Sequence, residues 1–204
     1  EAFGDAATAF EAAFEHSPTP RLALKHHLAL RYAGEAGAAK AVLEAWLETH
    51  PGDTWSQAAL AEQLMRERRF EEALALYEQV LAKTPEDAGT HNNLANIYLA
   101  LDDPERALRA ARRAYELAPE NPLINDTLGW VLVRTGDAGS GLAYLREART
   151  RASTLPEIRY HLAVALHQQG RNDEALVELG SALESGREFE GIDQASDLME
   201  RLGG

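Results

Sequence analysis

One spacing constrains this chain more than anything else in it. Thr19, Asp53, Asp87 and Asn121 are all residue types that cap the start of a helix, and each follows the last after 34 residues. Other columns keep the same step. Leu60, Leu94, Leu128 and Leu162 fall in line, followed one place on by Ala61, Ala95, Gly129 and Ala163. Leu30, Leu64, Tyr98, Leu132 and Leu166 form another column, Ala39, Ala73, Ala107, Gly141 and Ala175 a third, and Pro51, Pro85 and Pro119 a fourth.

Each column has a physical use. Leu60, Leu64, Ala73, Tyr77 and Val80 are spaced to put one apolar stripe on each of two consecutive helices. Small residues in the Ala61 and Ala73 columns let the two backbones approach. Pro85 ends the second helix and Asp87 caps the next, while Asp103 followed by Pro104 starts a second helix with Pro where a missing N–H costs nothing. The unit is a helical hairpin that packs on its neighbours.

Composition agrees with a folded chain and narrows its partners. Of 204 residues 45% are hydrophobic, enough for a core. The 20 Lys and Arg against 33 Asp and Glu leave a net charge of −13, which opposes non-specific attraction to phosphate backbones or anionic lipid, so nucleic acid is not an expected partner. Without Cys there is no disulfide or thiolate metal site. No apolar run reaches the roughly 18 residues of a membrane span. The chain opens at Glu1 without Met and reads as a fragment of a longer protein.

A 34-residue helix-turn-helix of this small and large pattern resembles the tetratricopeptide repeat. The resemblance implies an all-α, right-handed superhelical solenoid of stacked hairpins, with about twelve helices. Residues 1–18 are then the second helix of a preceding partial repeat, with Ala6, Phe10 and Ala13 one residue out of phase. Residues 19–188 hold five repeats, and residues 189–204 a C-terminal capping helix with its apolar side at Ile192, Ala195, Leu198, Met199 and Leu202. Two repeats depart from the pattern. His26 and His27 replace a large apolar and a small residue in the first, and Gly139 and Gly141 enter a helix of the fourth, where Gly costs about 0.5 to 1 kcal/mol relative to Ala. The fourth hairpin is expected to be the softer one.

The runs HNNLANIYLALDDPERALRAARRAYELAPENP, DTLGWVLVRTGD and PEIRYHLAVALHQQGRNDEAL, between Ala88 and Leu202, resemble the C-terminal end of the tetratricopeptide lipoproteins that accompany bacterial PEP-CTERM and exosortase systems. That likeness implies an assembly scaffold encoded with exopolysaccharide machinery. It also implies a periplasmic or outer-membrane location through an N-terminal signal outside this chain, with the cytoplasm as the alternative.

Chemistry-bearing motifs are missing. HExxH, a Gly-rich phosphate loop, GxSxG and a cysteine nucleophile do not occur, so no enzyme activity, cofactor or metal is expected. The seven His read as solvated or locally hydrogen-bonded, since His16, His50 and His91 lie near helix ends and His161 and His167 fall on different helix faces.

Function is therefore expected on a surface. In tetratricopeptide superhelices the first helix of each hairpin lines the inner groove, and its positions map here onto Trp55, Glu62, Arg66, Asn92, Asn96, Leu99, Asp126, Trp130, Arg134, Tyr160 and His167. Amides suit a peptide backbone and aromatics supply buried area at low entropy cost, so the expected partner is a protein or peptide. Cross-packing of Trp130 onto the next hairpin, local bonding of Asn92 and Asn96, and a covering role for Trp55 stand as the structural alternatives. The carboxylate clamp of chaperone-binding relatives is not present: its places hold Ala58, Glu62, Asn93, Leu123 and Thr127, or one repeat later Asn92, Asn96, Thr127, Glu157 and His161. Two wider roles stay open beside the envelope scaffold. One is the regulatory or substrate-recruiting arm of a larger enzyme; the other is a cytosolic co-chaperone, which the missing clamp disfavours.

Overall fold

The structure, a computed structural model, describes residues 2–203. Among them are twelve α-helices and no strand: α1 (Ala2–His16), α2 (Pro20–Tyr32), α3 (Ala36–Thr49), α4 (Thr54–Arg66), α5 (Phe70–Lys83), α6 (Ala88–Ala100), α7 (Pro104–Leu117), α8 (Pro122–Arg134), α9 (Ala138–Arg151), α10 (Pro156–Gln168), α11 (Asn172–Leu183) and α12 (Ile192–Gly203). First helices begin at Pro20, Thr54, Ala88, Pro122 and Pro156, in strict 34-residue step.

The expected caps form. The side chains of Thr19, Asp53, Asp87 and Asn121 accept from the backbone N–H of Leu22, Trp55, Gly89 and Leu123, at 3.0 to 3.3 Å. Asp53 also accepts from the Trp46 indole N–H at 2.8 Å and the Ser56 hydroxyl at 2.7 Å, which ties α3 to the start of α4. Between the helices of each hairpin sits one residue of positive φ, in a column that the sequence reading passed over: Gly34, Arg68, Asp102, Gly136 and Gly170. Arg68 and Asp102 hold this left-handed conformation with a Cβ, at φ 59° and 58°, a geometry that favours Gly.

The helices fall into two compact units, the first closing at Glu86 and the second opening at Asp87. In the first, α1 to α5 pack in sequence and α2 also lies beside α4, around Ala23, Leu43, Trp46, Ala61 and Tyr77. In the second, α6 to α12 pack in sequence, with the first helices α6, α8 and α10 side by side, around Ile97, Val131, Leu145, Ile158 and Leu179. On α1 the buried residue is Ala7, with Ala6, Phe10, Ala13 and Phe14 half-buried.

Three expectations need correction. The last helix starts at Ile192, not Phe189, because Gly191 at φ +94° breaks the backbone direction and packs against the Tyr160 ring, where a Cβ would come within 2.5 Å. Of the two glycines of the fourth hairpin, Gly141 marks close packing, not slack, while Gly139 has only an ordinary contact. A Cβ on Gly141 would stand 2.6 Å from the Gly129 carbonyl oxygen, so this pair brings α8 and α9 into close backbone contact. Nor does solvation or local hydrogen bonding describe all the histidines, since His26, His27 and His161 are buried and His161 bonds to Asp126, 35 residues away. His27 occupies the same column as Gly129, and there its Nδ1–H donates to the Ala39 carbonyl at 3.0 Å. Burial pulls the His27 imidazole below its ordinary 6.5; nearby Arg31 and Arg66 add to this, against the hydrogen bond and Glu62.

Candidate functional site: the first-helix faces

A first helix has one flank on its own hairpin partner, one on neighbouring first helices, and one left over. The surface residues expected to bind a partner lie along that remaining strip, and packing divides them sharply.

In the second unit much of the strip is engaged. Asp126 on α8 is 7% exposed, and both its carboxylate oxygens accept from His161 Nδ1–H on α10 at 3.0 Å. Burial opposes the proton on His161, but the charge and hydrogen bond of Asp126, with Glu157 and Glu190 beyond, outweigh it and hold the imidazole above its ordinary 6.5. Glu157 is raised above 4.5, first by burial and then by Asp126 and Glu190, with His161 working the other way.

The Trp130 indole stacks on the His161 ring at 4.1 Å and 10°, with the Arg134 guanidinium 5.6 Å from its centroid. Tyr160 is buried between Trp130 at 6.0 Å and Phe189 at 6.1 Å, and burial pushes its phenol up. Asp126 and Tyr160 are thus spent on packing between helices, which corrects their reading as open anchors. His167 donates to Asn172 at 2.9 Å, and Leu99 packs against the core of α6 to α8. Asn92 and Asn96 are half-buried, and the buried Oδ1 of Asn92 has no hydrogen-bond partner.

In the first unit the strip is open. Trp55 is 75% exposed. Arg66 grips the Glu62 carboxylate with both terminal nitrogens at 2.8 and 2.9 Å, and Arg31 reaches the same carboxylate at 3.8 Å. The strip continues onto α2, beyond the residues expected to bind. Leu28 and Tyr32 stand in the columns of Glu62 and Arg66 one repeat earlier and are 40% and 59% exposed. The signal was the 34-residue offset itself, masked by the irregular His26 and His27 beside it.

No group of His, Asp and Glu among the described residues has the arrangement of a metal site, and no described helix is long and apolar enough to cross a membrane.

Comparisons with known proteins agree on the architecture. Residues 64–131 and 127–190 each match the family described as Tetratricopeptide repeat. Interferon-induced protein with tetratricopeptide repeats 3 of Mus musculus is 28% identical over 120 residues, which cover 57% of this chain and 30% of that protein. The chain thus spans under a third of that relative's length. Among solved structures, TTC0263, a thermophilic TPR protein of Thermus thermophilus, has a TM-score of 0.71 at 26% identity, over 91% of this chain and 97% of that one. YrrB, described as a TPR protein with an unusual peptide-binding site, has a TM-score of 0.64 at 19% identity, over 94% and 100%. At that identity the likeness to YrrB speaks for the fold alone.

Proposed function

Since this chain is built of tetratricopeptide repeats, we propose that it is a non-enzymatic scaffold that holds a peptide or partner protein against its first-helix faces. The fold is typical of interaction scaffolds, and proteins of this kind bind peptides or proteins. The observation that carries the reading is Asn92. Its buried Oδ1 lacks a donor, and a buried acceptor left unmatched costs roughly 1 to 3 kcal/mol. An N–H from an extended peptide lying over α6 would supply one, with Asn96 one helical turn further along the same face.

The sequence resemblance between Ala88 and Leu202 suggests a setting for this scaffold, the exopolysaccharide and PEP-CTERM protein-sorting machinery of a bacterial envelope. A pull-down from an envelope fraction with this chain as bait tests that setting; recovery of only cytosolic proteins counts against it.

Asn96→Ala is the cleaner probe of the surface, because Trp130→Ala also unstacks His161. It is expected to weaken the captured partner by about 1 kcal/mol or more while the thermal melt stays in place. Unchanged affinity for Asn96→Ala, together with loss on reversing outer charges such as Glu78, would move the binding surface to the second helices.

A further inference from the structure

Exposed large apolar side chains are few on this protein and unevenly placed. Of seven among the described residues, four belong to the first unit: Phe3, Leu28, Tyr32 and Trp55. Leu28 and Tyr32 are one turn apart on α2, Trp55 is in the first turn of the adjacent α4, and the Phe3 ring stacks on Tyr32 at 5.1 Å. Isolated exposed hydrophobes need no explanation, but a set sharing two neighbouring helices does.

Charge sets α2 apart: of the twelve described helices it has the largest excess of cationic over anionic side chains, ahead of α7 and α9, whose arginines lie beside carboxylates of their own helices. α2 contains Arg21, Lys25 and Arg31 and not one carboxylate, and α4 adds Arg66 with Glu62 alone, within a protein of net charge −13. Lys25 lies over the Phe10 ring at 5.4 Å and so turns toward α1. Arg21 makes no ion pair among the described residues. Arg31 and Arg66 converge on the single carboxylate of Glu62, while Arg31 also lies 5.0 Å from the Tyr32 ring centroid. Two guanidiniums sharing one carboxylate retain donors for another, and guanidinium forks suit carboxylates.

We propose that the first-helix face of the first unit, bounded by Arg21, Leu28, Arg31, Tyr32, Trp55 and Arg66, takes an acidic segment of a partner protein that also presents aromatic or large aliphatic side chains. This rests on the first-helix reading above and adds the partner's chemistry and the part of the chain that meets it. Carboxylates of the segment pair with Arg31, Arg66 and Arg21, and its apolar side chains cover Leu28, Tyr32 and Trp55. The net negative charge of the protein opposes an acidic partner at a distance, while α2, the described helix with the largest excess of cationic over anionic side chains, favours it at this strip.

The test uses the full chain and three short dye-labelled synthetic peptides, read by fluorescence anisotropy. One alternates Asp and Glu with Leu and Phe. The second replaces its acidic residues with Lys, and the third replaces its Leu and Phe with Ser. The first is expected to bind and the others to bind far more weakly. Arg21→Glu and Trp55→Ser, both at exposed positions, should each weaken the first peptide roughly ten-fold or more without shifting the thermal melt.

Equal binding of the Lys peptide, or full binding by both variants, overturns the inference, as does no binding of the first peptide. Self-association of the wild type that Trp55→Ser abolishes also overturns it, by making a second copy the occupant. Should binding of the first peptide instead be lost only in Asn96→Ala, the first-helix reading stands and this assignment falls. Should a captured partner be lost only on substituting the second helices, both fall.

Discussion

Gly141→Ala is expected to destabilise the second unit by about 2 kcal/mol, and Gly139→Ala, two residues away, is expected to do the reverse. Helix propensity alone favours Ala at both places, by up to about 1 kcal/mol. Packing decides otherwise at Gly141. Its new Cβ would stand 2.6 Å from the Gly129 carbonyl oxygen, 3.1 Å from Val133 Cγ2 and 3.3 Å from Leu132 Cβ. The nearest of these is backbone in the middle of α8, so relief requires moving one helix away from the other, the overpacking penalty of roughly 1 to 3 kcal/mol. At Gly139 the nearest atom is Asp137 Oδ1 at 3.9 Å, ordinary contact, so the propensity gain survives at about 0.5 kcal/mol. Urea unfolding of the two variants beside the parent measures both. A gain for Gly141→Ala would show that the close approach of α8 and α9 is not required.

Asp126→Asn should cost about 1 to 3 kcal/mol, because it leaves the buried His161 without the carboxylate that both of its hydrogen bonds reach. It should also change how stability depends on pH. His161 is held above the 6.5 of the unfolded chain, so its contribution is complete below pH 6.5 and fades as pH rises through the folded value. Glu157, raised above 4.5, adds a loss of the same sign that begins lower, and Asp126 contributes to that shift too. Above pH 6.5 the parent should therefore lose stability on going alkaline, and Asp126→Asn should lose much less. Denaturant melts at a series of pH values, followed by far-UV circular dichroism, test this; parallel profiles for the two proteins would mean that the pair carries no such linkage.

The register of the fold was legible because it repeats. A cap, a small residue and a proline recurring at one interval leave little freedom about where helices start, and α2, α4, α6, α8 and α10 begin where the columns place them. Irregular ends were less readable. Phe189 has helix-forming neighbours, yet Gly191 turns the chain and seats it on Tyr160, a contact made across residues far apart in sequence.

The candidate surface was half legible for a related reason. Position along a first helix tells which strip a side chain belongs to, but not whether the next hairpin supplies something to meet it. Asp126 finds His161 and Trp130 stacks on it, whereas Trp55 finds nothing comparable and stays in solvent. Glycine misled in the same way: its helix penalty is a local property, while the space that Gly129 and Gly141 leave for one another is a property of the pair.

The His27 imidazole in the first unit has the opposite temper from that of His161 in the second. His27 lies below the unfolded value of 6.5, so the first unit gives up stability as the medium is acidified through 6.5 toward the folded value, whereas His161 makes the second unit weaken on alkalinisation. Acidification therefore weakens the unit with exposed Trp55 and Tyr32 relative to the other, and alkalinisation weakens the unit with Asn92 and Trp130. Amide hydrogen exchange on either side of pH 6.5, corrected for the intrinsic rate, would reveal this as protection that shifts from the second unit toward the first as the pH rises.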